Sequence, residues 1–185
     1  QIVSIAHLSP VKRLELLLQG FVVAVERGLD CYWTHIGGEG HRLAVLRRAV
    51  GRTDVADRIS LLGQLSSGEG DVRAHLQSTW YDLAINVSSS EGLPVALQET
   101  LSFGIPALAT TVGGNSELLR LSGGLELSPN PTPEEIADRL CEFAALSPMD
   151  QQSRRDAALS AQREHFDVEV NSSRLVTLLQ RLRPQ

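Results

Sequence analysis

Two glutamates lie eight positions apart in the stretch SSSEGLPVALQETLSFGIP, residues 88–106. Glu91 lies in a loop rich in serine and glycine, and Glu99 lies on the helix predicted to follow that loop. Gly92 allows a ligand to approach the backbone closely, or allows the chain to take a positive φ. Pro94 suits the first turn of a helix, where a missing amide hydrogen costs nothing. These residue types indicate a binding loop that leads into a helix.

This arrangement predicts a ligand that carries both phosphate and hydroxyl groups. Free amide hydrogens and partial positive charge at the start of a helix favour a phosphate. A carboxylate beside a phosphate would repel it, so Glu91 is expected to contact a neutral group with hydroxyls, such as a sugar. At about 1.5 Å of rise per residue, roughly 10 Å could separate Glu91 and Glu99, which is comparable to the span from a ribose to a sugar across a diphosphate. The spacing therefore favours a nucleotide-sugar site.

The spacing alone leaves a structural alternative open, in which Glu91 caps its own helix and Glu99 forms a surface pair with an arginine. A second group of residues bears on the choice. The segment HLSPVKR places His7, Lys12 and Arg13 around the start of the first helix. Lys12, the only lysine of the chain, could reach the phosphates as a point charge.

The elements that must position these residues follow from six short aliphatic runs, which predict strands. They cover residues 2–7, 31–37, 58–63, 82–88, 106–111 and 124–128. Most lack polar alternation, which is typical of strands buried on both faces of a parallel sheet. Amphipathic stretches between them predict helices. The chain is therefore expected to form one α/β domain over residues 1–185, with a doubly wound, Rossmann-like parallel sheet and helices on both faces.

Such sheets bind ligands at the carboxyl ends of their strands, so the residues after strands 1 to 4 are the site candidates.

Helix starts are predicted at Ser9-Pro10, at the capping box from Thr132 to Glu135, and at Ser147-Pro148. A leucine stripe predicts the last helix; its members are Leu175, Leu178, Leu179 and Leu182.

Composition excludes several other classes. The net charge of −5 argues against nonspecific nucleic-acid binding, which needs a basic footprint. Cys31 and Cys141 are far apart and are expected to be free thiols, which favours a reducing compartment. The histidines show no metal-ligand spacing, and GGEG at 37–40 lacks the full dinucleotide fingerprint, so NAD is disfavoured. No signal peptide and no apolar run long enough to span a membrane is visible.

Five segments resemble, in the right order, the donor-binding half of a glycosyltransferase family 4 enzyme with the GT-B fold. They are SIAHLSPVKRLELLLQGF, HIGGEGHRLAVLRR, RISLLGQL, INVSSSEGLPVALQETLSFGIPALATTVGGNSELL and PTPEEIADRL. The most specific part runs from Glu91 to Glu117, where the spacing of the glutamates, the Gly-Ile-Pro turn and the Val-Gly-Gly all match. The resemblance favours a functional role for both glutamates over the structural alternative.

The resemblance implies a role for each site residue. Glu99 would hold the ribose hydroxyls, and Glu91 would hold a hydroxyl of the transferred sugar. Lys12 would neutralise the diphosphate and stabilise the leaving group as its bond to the sugar breaks. The whole implied donor site comprises His7, Lys12, Arg13, Gln64, Leu65, Glu91, Gly92, Leu93, Pro94 and Glu99, with Glu91 and Lys12 as the catalytic pair. In that set, the amides at 92 and 93 would hold the sugar or distal phosphate, and residues 64 and 65 would flank the base.

One residue departs from the family pattern. The family usually has an arginine where His7 stands, and histidine is ionised only part of the time near neutral pH. Three possibilities stay open: Arg13 compensates, neighbouring phosphates favour the protonated form of His7, or phosphate binding is weaker in this chain.

The resemblance also implies a retaining enzyme that needs no metal and no cofactor, with a nucleotide-sugar donor and a sugar or lipid-linked acceptor. The acceptor would be bound by an N-terminal domain outside this chain, and residue 1 opens directly onto a strand, as expected of a fragment that is inactive alone. Polysaccharide or glycolipid synthesis in the cytoplasm, at the inner face of the membrane, is the commonest setting of relatives. The alternatives are a nucleotide-sugar 2-epimerase of the same fold and a noncatalytic binding module.

Overall fold

The computed structural model describes residues 1–65 and 71–181, and it contains all six predicted strands. Each strand is shorter than the run that predicted it, because the polar ends of those runs form loops. The strands are β1 (Ile2–Ile5), β2 (Trp33–Ile36), β3 (Ile59–Gly63), β4 (Leu83–Asn86), β5 (Ala107–Thr110) and β6 (Leu125–Leu127).

Helices connect the strands and extend beyond the last one. They are α1 (Leu14–Glu26), α2 (Gly40–Val50), α3 (Val72–Ser78), α4 (Val95–Leu101), α5 (Gly114–Ser122), α6 (Pro133–Ala144), α7 (Pro148–Ala161) and α8 (Val168–Arg181). Short 3-10 turns lie at Pro10–Lys12 and Ala56–Arg58, and a π turn at Gln162–Phe166 joins α7 to α8.

The strands pair in parallel in the order β3-β2-β1-β4-β5-β6. From β1 the chain builds the sheet outward through β2 and β3, and from β4 it builds the other side. The loops that leave β1 and β4 diverge at this switch point, which leaves a crevice between them. The predicted doubly wound sheet is confirmed, and its topology places the loops after β1 and β4 side by side.

Two apolar layers cover the faces of the sheet. One layer lies around Phe21 and Trp33, where α1 packs closely against α6. A Cβ on Gly20 would lie 2.6 Å from the Cβ of Ile136, so this helix pair needs a glycine at its contact. The other layer contains Leu97 and Leu101 of α4, Ile105 of the loop after it, Leu118 of α5 and Ala158 of α7.

Helix α1 begins later than predicted. Ser9 and Pro10 introduce the 3-10 turn instead, and the Ser9 side chain makes no capping hydrogen bond. Arg13 separates this turn from α1 with a φ of 49°, the only positive φ of a non-glycine within the described residues. This left-handed residue reverses the chain between Lys12 and α1.

The other predicted helix starts hold in part. Thr132 accepts a hydrogen bond from the amide of Glu135 at 3.2 Å. The Glu135 carboxylate does not close the predicted capping box, because it accepts from the amide and hydroxyl of Ser128. Ser147 accepts from the amide of Asp150, which confirms the start of α7.

The predicted leucine stripe lies on α8 but does not reach the core. Leu175, Leu178 and Leu179 are each more than half exposed, and Leu182 lies outside the described residues. Among the helices of the described ranges, none combines the length and the hydropathy needed to cross a bilayer.

Candidate functional site

The loop after β4 holds Glu91 among three hydrogen-bond donors. Its Oε1 atom accepts from Lys12 Nζ at 2.6 Å, from Ser88 Oγ at 2.7 Å and from Asn86 Nδ2 at 2.8 Å. The Glu91 side chain is only 9% exposed. A charge-assisted hydrogen bond supported by two neutral ones fixes a carboxylate strongly in partly buried surroundings. Glu91 is therefore an ordered group of the site and not a solvated surface acid.

Opposing effects set the pKa of the Glu91 carboxyl. Burial raises this pKa, because desolvation penalises the anion. The hydrogen bonds from Lys12, Asn86 and Ser88, together with the charge of Lys12, outweigh burial and hold the pKa below its ordinary value. Glu91 is therefore an anion at neutral pH and can only accept hydrogen bonds from a ligand.

The structural alternative for the two glutamates is that Glu91 caps its own helix and that Glu99 forms a surface pair with an arginine. The N-cap of α4 is Pro94, one position before the helix instead of within its first turn, and no side chain caps it. Glu91 is turned towards Lys12. Glu99 lies half-buried on α4, and no lysine, arginine or histidine nitrogen of the described residues lies within 4.0 Å of its carboxylate. Neither the cap nor the surface pair is present in the described chain.

The Val-Gly-Gly turn after β5 supports the Glu91 loop from behind. A Cβ on Gly113, which has a φ of 49°, would lie 1.8 Å from the carbonyl oxygen of Glu91. A Cβ on Gly114 would lie 2.1 Å from the carbonyl oxygen of Gly92, and the amide of Gly114 donates to that oxygen at 3.1 Å. Only glycine allows these two backbones to pack so closely, so the turn determines the position of Glu91.

A cavity of about 410 Å³ opens in the crevice between the loops after β1 and β4. Both glutamates and the lysine face it from different elements. Eight of the predicted site residues line it: His7, Lys12, Gln64, Leu65, Glu91, Leu93, Pro94 and Glu99. The glycine turn after β2 also reaches this wall, where a Cβ on Gly37 would lie 2.3 Å from the carbonyl oxygen of Ala6.

Arg13, predicted at the donor site, lies outside the cavity that eight of the other predicted residues line. Its Nε donates to the carbonyl of Val87 at 2.6 Å, and its Nη2 donates to Ser88 at 2.8 Å and Pro129 at 2.9 Å. The left-handed backbone turns this side chain away from Lys12, and it does not line the cavity. Arg13 ties the loops after β4 and β6 to α1. Its predicted part in phosphate binding stays a prediction.

For Gly92 the structure fits one of the two predicted alternatives, an open backbone that a ligand can approach, and not a positive φ. Gly92 is exposed, its φ is not positive, and its side-chain position is open, with nothing within 4 Å of an added Cβ. Gly92 is not among the residues that line the cavity. Its carbonyl accepts a hydrogen bond from the amide of Gly114 at 3.1 Å, and the contact of its own amide with a phosphate stays a prediction.

A larger cavity, of about 540 Å³, lies on the other side of the loop after β1. It contains Arg13, Glu15, Gln19 and Arg42, and Arg42 Nη1 donates to the carbonyl of Leu8 at 2.7 Å. The acid–base cluster of Lys12 and Glu91 is not part of it. Size alone therefore does not identify the site.

Within residues 1–65 and 71–181, no cluster of three histidine, cysteine or acidic side chains could hold a metal ion.

Sequence reasoning missed Asn86 and Ser88. Asn86 is the last residue of β4, and it is a polar residue at the end of an otherwise apolar strand. A polar side chain at the carboxyl end of a buried strand, followed at two and five positions by Ser88 and Glu91, is a signal that could have identified both residues.

The fold and the site together define a class: an α/β domain of the doubly wound type that presents a cation and two carboxylates in the crevice at its switch point. A comparison with family models makes this more specific. The model described as "Glycosyl transferases group 1" matches residues 1–160, and the chain belongs to that family.

Two curated proteins are similar to the chain in sequence. The chain is 27% identical over 186 aligned positions to the "Putative colanic acid biosynthesis glycosyltransferase WcaL" of Escherichia coli (strain K12), covering 98% of this chain and 45% of WcaL. It is 25% identical to the amylovoran biosynthesis glycosyltransferase AmsK of Erwinia amylovora, over 74% of this chain and 34% of AmsK. The chain thus spans less than half the length of these relatives.

Among solved structures, the chain is similar to Anabaena Alr3699/HepE in complex with UDP and glucose. The TM-score is 0.77 at 18% sequence identity, and the match covers 98% of this chain and 48% of that protein. At this level of identity the likeness establishes the fold.

Proposed function

We propose that this chain is the donor-binding part of a glycosyltransferase that transfers a sugar, with retention, from a nucleotide-diphosphate sugar to an acceptor. The observation that carries the proposal is the group formed by Lys12, Glu91 and Glu99, which line one cavity at the switch point. The lysine supplies a cation for a diphosphate, and the two acids supply acceptors for hydroxyls. UDP and glucose in HepE support a donor of this class.

The chemistry proposed for these residues is electrostatic. When the bond between the sugar and the diphosphate breaks, negative charge grows on the leaving phosphate, and Lys12 is the cation positioned to stabilise it. Glu91 would accept a hydrogen bond from the transferred sugar, and Glu99 would accept hydrogen bonds from the ribose. We propose that these residues, without a bound metal or cofactor, neutralise the leaving group. The base would lie at the edge of the cavity formed by the exposed Gln64 and the half-buried Leu65.

We further propose that the acceptor is a sugar or lipid-linked glycan of a polysaccharide pathway, bound by residues outside the half of the relatives that this chain matches. The names of WcaL and AmsK, which refer to colanic acid and amylovoran, support this acceptor class. Cys31 and Cys141 are both free in the structure, which supports a reducing compartment. We propose the cytoplasm, at the inner face of the membrane, as the place of the reaction.

Calorimetric titration of UDP, GDP and ADP into the chain tests the donor site. We expect one of these nucleotides to bind and Glu99→Ala to weaken it about tenfold or more, since two hydrogen bonds to a charged acceptor are lost. Glu26→Ala is the matched control, because Glu26 is an exposed acid at the far end of α1. Failure of all three nucleotides to bind would instead favour a noncatalytic module.

A further inference from the structure

Glu91 is held by two neutral side chains whose roles are not explained by the pairing with Lys12. We propose that Asn86, assisted by Ser88, is a positioning residue that fixes one carboxylate oxygen of Glu91 so that the other oxygen is presented to the transferred sugar. This inference rests on the proposed function for the identity of the ligand, but its structural part concerns only the protein.

The hydrogen bonds determine how the Asn86 amide is oriented. The amide of Ser88 donates to Asn86 Oδ1 at 2.9 Å, so the oxygen must face that amide. The amino group then faces Glu91, and Nδ2 donates to Oε1 at 2.8 Å. A flipped amide would place an oxygen against the carboxylate and an amino group against an N–H. Asn86 therefore links the end of β4 to the Glu91 loop in one orientation only.

The two oxygens of Glu91 are in different situations. Oε1 accepts all three bonds, from Lys12, Ser88 and Asn86. Within the described ranges, Oε2 accepts no hydrogen bond from the protein, although the side chain lines the cavity. An oxygen that already accepts three bonds has no capacity left for a ligand, so a sugar hydroxyl must donate to Oε2.

Lys12 alone could not maintain this arrangement during the reaction. When a diphosphate enters, Lys12 is shared between Glu91 and the phosphates, and the carboxylate would be free to follow it. The donors of Asn86 and Ser88 are anchored in β4 and its loop, so they keep Glu91 in place. The other charged or titratable groups that face the cavity are His7 and Glu99. The pair of neutral donors thus separates the sugar contact from the phosphate contact.

The first test needs no ligand. The Glu91 carboxyl of the ¹³C-labelled chain is titrated by NMR, and its signal is assigned by its loss in Glu91→Gln. We expect the titration midpoint to move to higher pH in Asn86→Asp, which replaces a donor by a second carboxylate, and in Ser88→Ala. Ser89→Ala is the control, because Ser89 Oγ donates to the carbonyl of Val11 at 3.4 Å and does not contact Glu91. Unchanged midpoints in both test variants would overturn the positioning role.

The second test measures the affinity for UDP-glucose relative to UDP. We expect the gain from the sugar to fall about tenfold in Asn86→Asp and a few-fold in Ser88→Ala, with UDP affinity changed much less. A sugar gain that both variants retain would overturn the role towards the sugar. If no nucleotide binds the wild-type chain, the proposed function fails, and the carboxyl titration still decides the positioning role. Circular dichroism checks the fold, and Ser88→Ala carries both tests if Asn86→Asp does not fold.

Discussion

Lowering the pH from about 7 to about 4.5 is expected to destabilise the folded chain, because one histidine is buried with an unpaired nitrogen. His35 of β2 is 0% exposed, and its Nδ1 lies 2.8 Å from Ser4 Oγ, which also accepts from Trp33 Nε1 at 2.8 Å. Its Nε2 has no partner in the described chain. Burial lowers the pKa of His35 to about 4, against the opposing effect of a hydrogen bond with the backbone of Ser4.

The magnitude follows from the two pKa values of His35. The unfolded chain takes up this proton near the ordinary value of 6.5, whereas the folded chain resists it until about 4. At about 1.4 kcal/mol per pKa unit, the folded state loses about 3 kcal/mol as the pH falls through this window. The loss is a large share of a typical unfolding free energy of about 5–15 kcal/mol. Above this window the contribution is fully present.

Two carboxyl groups with shifted pKa values act at lower pH. The pKa of Glu91 and that of Asp82 are both lowered, by hydrogen bonds and nearby positive charge that outweigh burial. Their contributions are present above their ordinary pKa values of 4.5 and 3.8 and are lost only as the pH falls below them. The loss that begins near pH 6.5 is therefore assigned mainly to His35, whose pKa falls to about 4. Burial also lowers the pKa of His75, which contributes in the same direction.

Urea unfolding, followed by circular dichroism at several pH values between about 7 and 4.5, measures this loss. The wild-type chain is compared with His35→Gln, which keeps a partner for Ser4, and with His41→Gln, which removes an exposed histidine. We expect His35→Gln to flatten the pH dependence and His41→Gln to leave it unchanged. A His35→Gln chain that loses stability as steeply as the wild type would refute the reasoning.

Three further outcomes are expected. Lys12→Ala should weaken UDP binding, measured by calorimetry, about tenfold to hundredfold. A charge-assisted contact is lost, and Glu91 remains near the phosphates as an anion without its cation. An unchanged affinity would show that Lys12 does not contact the phosphates. Gly113→Ala should lower the unfolding free energy by at least about 2 kcal/mol more than Gly28→Ala, since both glycines have positive φ but only the first meets a backbone carbonyl; equal losses would contradict this. The 185-residue chain should bind donor without transferring sugar, and radiolabel transfer to any acceptor by this chain would contradict that.

Much of the fold could be predicted because the strands are aliphatic runs, and the four central ones (β2, β1, β4 and β5) are largely buried on both faces. The edge strands β3 and β6 are partly exposed. In a parallel sheet whose strands alternate with helices, the carboxyl ends of β1 and β4 lie side by side. The sequence therefore predicts that His7, Lys12 and the two glutamates lie near one another. The positions that are set by the order of the strands could thus be predicted from the pattern of aliphatic runs and helices.

The rest depends on single backbone angles and on contacts between distant loops. Lys12 and Arg13 are neighbours in sequence, yet the left-handed φ of Arg13 sends the two side chains to different surroundings. The hydrogen bonds of Asn86 become visible only when the loop after β4 has folded back on its own strand. The Val-Gly-Gly turn is visible as a sequence motif. Its contact with the Glu91 carbonyl is not visible there, because the contact joins residues 22 positions apart. No local pattern reports such contacts.

The single lysine has a practical consequence. Lys12 lines the cavity, and it is the only lysine of the chain. A reagent that acylates primary amines therefore has one side-chain target in this chain, beside the terminal amino group. Covalent labelling at that position would report directly on occupancy, since a bound ligand shields the amine. The chain thus carries its own footprinting probe, and a mass spectrum of labelled peptides could rank candidate ligands without any knowledge of the acceptor.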